Sequence, residues 1–479
     1  NSIAIGNGSY VAATGTLGYY GGYAPAATQG IAIGNGASVT GVNGAAVGVN
    51  ASASGVYSSA FGSSSNAGGA YSTALGDSAN ASGNFTTAVG RNAHATATSA
   101  NALGYNAQAT GYFSNALGTD SVASGYASTA VGQQAYATGP RSTALGLAAN
   151  ASGYESTALG SLATASGKYS TAVGAGARAT GQFDTAVGKY ATASGGYSTA
   201  IGKYAVSSGI ASTALGYGAH ATARTSTAIG TDSYASGYGS ISEGFRSAAT
   251  NYNSVAMGSY AYSSGQSSVA VGALSSATGD LSTAVGYSAF AKGANSTAIG
   301  NTSAAYGAYS TAVGSNAYAS GSNASAFGEN AQATGGYSTA VGVNSVASGY
   351  SSSAFGDGAQ ATGDTSTALG QFSYAGGESS TATGYRATAI GDSASAFGAS
   401  AVAVGNSSTA AGNDAVAVGN YSAAFGFTAV ANGEGSSAIG QGATAVGNYT
   451  IAAGKQAIAV DTGASAVGYQ ALAVGYSSS

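Results

Sequence analysis

The sequence contains no cysteine and no tryptophan, and it has only two prolines and two histidines among its 479 residues. Charged residues make up 5% of the chain and leave a net charge of −4. Without cysteine the fold does not depend on disulfides, and without a positive balance the chain lacks the electrostatic footprint for nucleic acid. No apolar run approaches membrane-spanning length, so we expect no direct membrane insertion of this segment.

Glycine, in contrast, is abundant, and 32 of the 80 glycines recur every fourteen residues without one insertion, from Gly34 to Gly468. Such a fixed period predicts a solenoid, because each repeat is one coil stacked on the last. A second, looser glycine column lies midway between these marker glycines, as at Gly41, with Asn251 and Asp461 among its exceptions. We interpret the two columns as two tight turns per coil that need positive φ.

Fourteen residues then divide into two strands of about five residues and two turns of about two. Like residues recur fourteen positions apart, which predicts parallel stacking, because antiparallel hairpins would pair unlike positions. The expected fold is all-β: a parallel β-roll, or β-solenoid, whose 32 coils at about 4.8 Å each would make a rod about 150 Å long.

The side-chain columns indicate which face is buried. An aliphatic or aromatic residue precedes each marker glycine, with alanine one residue earlier, as at Ala158 and Leu159, and the second strand reads Ala-x-Ala, as at Ala163 and Ala165. Neighbouring strand residues point to opposite faces, so we place the alanines inside a thin coil and the larger apolar column outside. Burying that column at about 1.5 kcal/mol per side chain is worth several tens of kcal/mol, which predicts an obligate oligomer. The alternative is a monomeric rod whose core is this column.

The residues predicted to form the subunit interface are Val47, Phe61, Leu75, Val89, Leu103, Leu117, Val131, Leu145, Leu159, Val173, Val187, Ile201, Leu215, Ile229, Met257, Val271, Val285, Ile299, Val313, Phe327, Val341, Phe355, Leu369, Phe397, Phe425, Ile439 and Val467.

Tyrosine is what the surface offers to a partner. Rigid amphipathic rings on a nearly uncharged surface suit an extracellular matrix protein, a glycan or an abiotic surface, although they would also stiffen the rod. The candidate adhesive surface comprises one column with Tyr57, Tyr71, Tyr169, Tyr197, Tyr309 and Tyr337, and another with Tyr136, Tyr234, Tyr262, Tyr318 and Tyr374.

Nothing in the sequence predicts catalysis. His94 and His220 occupy the same position nine coils apart, about 43 Å at the strand spacing, so they cannot form a dyad. We see no metal-ligand cluster, no base beside the recurrent serines and no helix after the glycine-rich turns. We therefore expect no enzyme activity, no cofactor and no metal site.

Three segments differ in pattern. Residues 1–33 are irregular and are interpreted as N-terminal cap coils, and residues 34–387 form the regular repeats. In residues 388–479 a second apolar column precedes the second glycine, as at Ile390, Val404 and Val418. This change is either drift within the repeat or a wider subunit contact.

One coil breaks the rule, Ser240-Ile-Ser-Glu-Gly-Phe-Arg246, because Glu243 stands in the apolar column. In a trimer it would place three carboxylates near the axis, which is unfavourable unless a partner is present. We expect an axial polar site in which Arg246 is that partner, with bound water, a cation or protonated carboxyls as other candidates. The alternative is a local register shift that turns Glu243 to solvent.

The repeated phrases Tyr169-Ser-Thr-Ala-Val-Gly174 and Asn253-Ser-Val-Ala-Met-Gly258, each followed by a second strand rich in serine and alanine, resemble the head-domain repeats of YadA-like trimeric autotransporter adhesins. The resemblance covers about residues 31–479. It implies a left-handed roll, a homotrimer with the apolar column at its interface, and an adhesive head on the bacterial outer membrane with a role in virulence.

The chain starts at Asn1 with neither signal peptide nor anchor, and no neck motif or coiled-coil stalk is found, so this is expected to be a piece of a longer extracellular protein. Two other functions remain open at this point. One is a structural fibre subunit, either a self-assembling filament or a phage tail fibre, and the other is an ice-binding rod. The ice-binding hypothesis rests on a ladder of Thr73, Thr87, Thr129, Thr143, Thr157 and Thr171.

Overall fold

The computed structural model describes residues 2–11 and 29–479. The chain divides into two compact units, Asn1–Gly239 and Ser240–Ser479. Each unit is a parallel β-solenoid of fourteen-residue coils, and the described residues contain no helix. From Ile31 onward the first unit has fifteen coils and the second has seventeen. The predicted all-β solenoid is confirmed.

Every coil contributes two short strands at fixed distances from its marker glycine. The first strand occupies the three residues before that glycine, and the second strand occupies the fourth and fifth residues after it. The strand bounds run from Ile3–Ile5 and Tyr10–Val11, then Ile31–Ile33 and Ser38–Val39, to Thr227–Ile229 and Tyr234–Ala235 in the first unit, and from Ile241–Glu243 and Ala248–Ala249 to Ser465–Val467 and Leu472–Ala473 in the second.

Within each unit, first strands pair with first strands and second strands with second strands, in a register of fourteen residues. Thr157–Leu159 lies opposite Thr171–Val173, and Thr164 lies opposite Arg178. The strands are shorter than the five residues expected, because each turn takes in three residues and the third adopts a left-handed conformation. Leu162 has φ 58° in the first turn, and Tyr169 has φ 59° in the second.

The two glycine columns have different roles. The marker glycine Gly160 has φ +132°, as predicted. The prediction that the second column also needs positive φ is wrong except at Gly475, and the reason for glycine there is close approach of backbones. A Cβ on Gly167 would overlap the carbonyl group of Gly181 in the next coil.

The interior is as thin as the alanine pattern predicts. Ala158, Ala163 and Ala165 have no exposed surface, and their columns are buried in both units except at the outermost coils, as at Ala4 and Ala471. A fourth interior column is serine, as at Ser156, whose Oγ donates to the carbonyl oxygen of Gly153 over 2.8 Å. Sequence reasoning treated this serine as an incidental part of the repeat, although its spacing of two residues from Ala158 indicates the same inward face.

The predicted N-terminal cap falls largely on residues 12–28, which lie outside the described residues. On either side of them the pairing is regular, with Ile3 opposite Ile31 and Tyr10 opposite Ser38.

Candidate adhesive surface and subunit interface

The predicted subunit interface lies on the outer face of the first strands. Most of its leucine, isoleucine, phenylalanine and methionine side chains are 37–48% exposed in the single chain, and its valines are half-buried apart from the terminal Val467. Successive members are stacked directly, as Leu159 is opposite Val173. The column is therefore an outward apolar stripe, continuous in the first unit and interrupted in the second by Glu243 and Thr383. This is the geometry that the interface prediction requires.

Threonine shares this face with the apolar stripe. Thr157 stands two residues before Leu159 on the same strand and is half-buried. A subunit that packs on the stripe would also cover the threonine ladder. An assembly that buries the stripe therefore leaves no exposed threonine ladder for ice binding. Thr383, Ala411 and Ala453 also stand in the apolar column but were missed in the sequence because they are small or polar.

Near the end of the second unit, the residue directly after the second strand is aliphatic in most coils. Ile390, Val418 and Val446 are 48%, 39% and 40% exposed, and Val404 and Val460 are half-buried. These coils therefore carry aliphatic side chains beside their second strands as well as on their first strands.

The first tyrosine column occupies the third position of the second turn, where φ is positive. Tyr57 and Tyr71 have φ 57°, and their rings stack at 5.2 Å, with Phe85 stacked on Tyr71 at 5.3 Å. Tyr169, Phe183 and Tyr197 form a second stack with centroid distances of 4.8 and 4.9 Å. The left-handed position of the second turn is thus often aromatic. Where two neighbouring coils both have an aromatic residue there, the two rings stack.

The remaining tyrosines of the candidate adhesive surface make fewer ring contacts or lie elsewhere on the coil. Tyr309 is 62% exposed and Tyr337 is 57% exposed, and the Tyr337 ring meets Tyr350 edge-on at 5.6 Å. The second column lies on the outer face of the second strands, where Tyr136, Tyr234, Tyr262 and Tyr318 are 38–41% exposed and Tyr374 is half-buried. All eleven tyrosines lie at the surface, in two columns separated around the coil.

The repeat profile described as "YadA head domain repeat" matches the chain nineteen times between residues 40 and 460, which is most of its length. The chain belongs to the YadA head family. No curated protein sequence matches it. Among solved structures, the collagen-binding domain of the Yersinia adhesin YadA is similar, with 28% identity over 30% of this chain and a TM-score of 0.20. The chain spans 65% of that domain's length.

A YadA head is an adhesin module, and its family is not an enzyme family. Within residues 2–11 and 29–479, no three histidine, cysteine or acidic side chains come together in a group that could hold a metal. His94 and His220 lie on second strands that pair with different neighbours, nine coils apart. No helix in the described part of the head is long and apolar enough to cross a membrane.

Apart from Glu243 and Arg246, the charged residues of this head were given no role from the sequence. Arg141 donates to Glu155 over 2.7 Å, and this hydrogen bond lowers the pKa of the Glu155 carboxyl and raises that of Arg141. Elsewhere, cations lie over aromatic rings. Lys168 lies 5.4 Å from the Tyr154 ring and 5.2 Å from the Tyr169 ring. The signal in the sequence was the lysine directly before tyrosine at turn positions.

Glu243 keeps the common register with the following coil. Ile241 lies opposite Val255, and Glu243 lies opposite Met257. The alternative of a local register shift is therefore wrong for the pairing with the following coil. In the single chain Glu243 is exposed, and the Arg246 guanidinium lies 5.1 Å from the Phe245 ring. The carboxylate therefore stands in the apolar stripe among aliphatic neighbours, and its partner in an assembly stays a prediction.

Proposed function

We propose that this YadA head is the extracellular, surface-displayed adhesive part of a trimeric adhesin. Three chains would pack through the apolar stripe, and the exposed turns would bind matrix proteins, glycans or abiotic surfaces. The observation that carries the proposal is that two parts of the coil surface have opposite chemistry. The first strands present aliphatic side chains suited to burial, and the turns present exposed tyrosines suited to contact.

The stripe supports an assembly because a single chain leaves this row of large apolar side chains partly exposed to water. The interior contains little besides alanine and serine. Most of the 27 stripe residues are already about half covered by their own coil, so burial of the rest adds about 0.7 kcal/mol each, or about 20 kcal/mol per chain. Packing through the first strands leaves the tyrosine column of the second strands facing outward.

The turn tyrosines support adhesion because they are exposed rings on a rigid scaffold. A ring with two side-chain torsions loses little entropy on binding and offers both an apolar body and a hydroxyl. Repetition along the coils would make attachment multivalent, so weak single contacts would add up to strong adhesion.

The test is attachment of the head to matrix-coated and bare surfaces after Tyr309→Ser and Tyr337→Ser, together and singly. We expect graded loss of attachment with an unchanged β-sheet signal and melting temperature, because neither ring lies inside a face-to-face stack. The matched control, Tyr309→Phe with Tyr337→Phe, keeps the rings and should retain most attachment. Attachment that is unaltered by the serine variants, or that falls in step with stability, would contradict an adhesive role for these rings.

A further inference from the structure

Charge is distributed unevenly along this weakly charged chain. Residues 156–231 carry a single acid, Asp184, and five cations: Lys168, Arg178, Lys189, Lys203 and Arg224. In contrast, residues 232–479 carry eleven acids and four cations. Asp184 is fully buried. This part of the first unit therefore exposes five cations and no carboxylate.

The single acid is also satisfied from within the coil. One Asp184 oxygen accepts from the Gly181 amide over 2.6 Å, and the other accepts from the amide and hydroxyl of Ser198 over 2.9 and 2.8 Å. Its hydrogen-bonding capacity is directed inward, so it does not pair with the surface lysines.

Two of these lysines belong to a lysine–tyrosine cluster made of Lys189, Tyr190, Lys203, Tyr204 and Tyr217. The five residues occupy the first turns of three consecutive coils, and all are exposed. Lys189 lies 5.3 Å from the Tyr190 ring, and Lys203 lies 5.0 Å from Tyr204 and 5.7 Å from Tyr217. Contact with ring faces holds the ammonium groups at defined places in the cluster.

The rings of the cluster are packed against one another. Tyr190 and Tyr204 stack at 5.5 Å with planes 11° apart, and Tyr217 meets Tyr204 edge-on at 5.9 Å. Their faces are largely occupied by these contacts, by the lysines, and by Gly176 beneath Tyr190. What remains for a partner is the ring edges and hydroxyl groups, together with the two ammonium groups beside the rings.

We propose that the lysine–tyrosine cluster binds an acidic polysaccharide that carries carboxylate or sulfate groups. An extended polyanion can place charges on both ammonium groups, one coil apart, and its hydroxyls can exchange hydrogen bonds with the tyrosine hydroxyls. Single-stranded nucleic acid fits less well, because base stacking needs open ring faces. The inference names a ligand class for one part of the adhesive surface and rests on the proposed function.

The acidic second unit of another copy is a weaker candidate for the same cluster. Its acids other than Glu243 stand in turn positions, where Asp364 accepts from the Tyr350 amide and Asp392 from the Glu378 amide, over 2.8 and 3.1 Å. Each of these carboxylates is engaged by an amide in the turn of the preceding coil, which reduces what it can offer to a lysine.

The experiment measures binding of the assembled head to immobilised heparin, with uncharged dextran and polyglutamate as reference surfaces. We expect binding to heparin and not to dextran, with an affinity that falls as salt rises, because counterions are released from the polyanion. Lys189→Gln with Lys203→Gln should weaken heparin binding at least tenfold and make it less salt-dependent. The matched control is Arg386→Gln with Lys455→Gln, which removes two exposed cations from first turns of the second unit and should change little.

No heparin binding, equal binding to polyglutamate, or equal losses in the two double variants would overturn the proposal. The double variant Lys189→Gln with Lys203→Gln could instead abolish association of the heads with one another and leave heparin binding unchanged. That result would overturn the proposal and would show that the cluster binds a second copy of the chain. Attachment to matrix-coated surfaces, measured on the same proteins, tests the proposed adhesive function separately from the glycan inference. If attachment persists while heparin binding is absent, the glycan inference fails and the adhesive function stands.

Discussion

At the scale of single residues, the two glycine columns should tolerate a side chain to different degrees. All 32 marker positions are glycine, whereas Ala97 and Ala223 stand in the second column. A side chain at Gly160 would meet the Gly174 carbonyl and would also have to adopt φ +132°, which costs about 1–3 kcal/mol in strain. A side chain at Gly167 would meet backbone but would not need that φ.

We therefore expect Gly160→Ala to loosen its coil more than Gly167→Ala. Hydrogen exchange of the amides in residues 154–181 is the suitable measurement, since a solenoid opens locally and a global melting curve would average over many coils. Equal loss of protection in the two variants would show that backbone contact alone selects glycine in both columns.

Asp184 gives a second residue-scale prediction. Its carboxylate takes the Gly181 amide, which in a regular coil bonds to a carbonyl, as the Gly167 amide does with Ala179 over 3.3 Å. Asp184→Ser should increase exchange protection around residues 181–198, because a buried charge is removed and the regular backbone bonds can return. Ser156→Asp, the reverse change in the same interior column, should decrease protection in its own coil. Lower protection in Asp184→Ser would mean that the carboxylate network stabilises this turn.

At the scale of the strands and turns, the sequence predicted the columns well, because a fixed period and the alternation of faces follow directly from parallel stacking. It predicted the turn conformations poorly. The left-handed third position was signalled by Asn50, Asn92 and Asn106, residues that tolerate positive φ. Tyrosines in the same kind of position, such as Tyr71, obscured that signal. Ring stacking and the lysine contacts depend on side-chain rotamers across coils, which no spacing rule specifies.

The stacked turns should contribute to stability, and isolated turn rings should not. Tyr71 stacks on both Tyr57 and Phe85, whereas Tyr309 makes no ring contact within the described part of the chain and is 62% exposed. Asparagine tolerates the left-handed conformation, so Tyr71→Asn removes the ring without straining the backbone. Each ring pair is worth about 0.5–1.5 kcal/mol. Exchange protection should fall in residues 57–85 for Tyr71→Asn and remain unchanged around position 309 for Tyr309→Asn. A similar loss at both sites would mean that stacking adds nothing.

At the scale of the whole molecule, the thin interior and the long apolar stripe together predict that folding and assembly are one process. A chain of 44.9 kDa should sediment as a trimer and should not yield a folded monomer on dilution. Sedimentation velocity combined with the β-sheet signal, over a dilution series, measures both properties. A soluble monomer that keeps its β-sheet signal at micromolar concentration would refute the interface assignment.

Glu243 tests where the axis of that assembly lies. Ile241 stands on the same strand, and Val255 and Met257 lie opposite on the next coil, so a subunit packed on this face would enclose the carboxylate among aliphatic side chains. Three ionised carboxylates near one axis would repel one another, and Glu243→Val should then raise the melting temperature of the trimer. The gain should be larger at about pH 8 than at about pH 4, because low pH protonates carboxyls. Glu329→Val makes the same chemical change at an exposed first turn and should leave the melting temperature nearly unchanged. A lower melting temperature in Glu243→Val would indicate a stabilising network with Arg246, and no change at either pH would place the glutamates away from the axis.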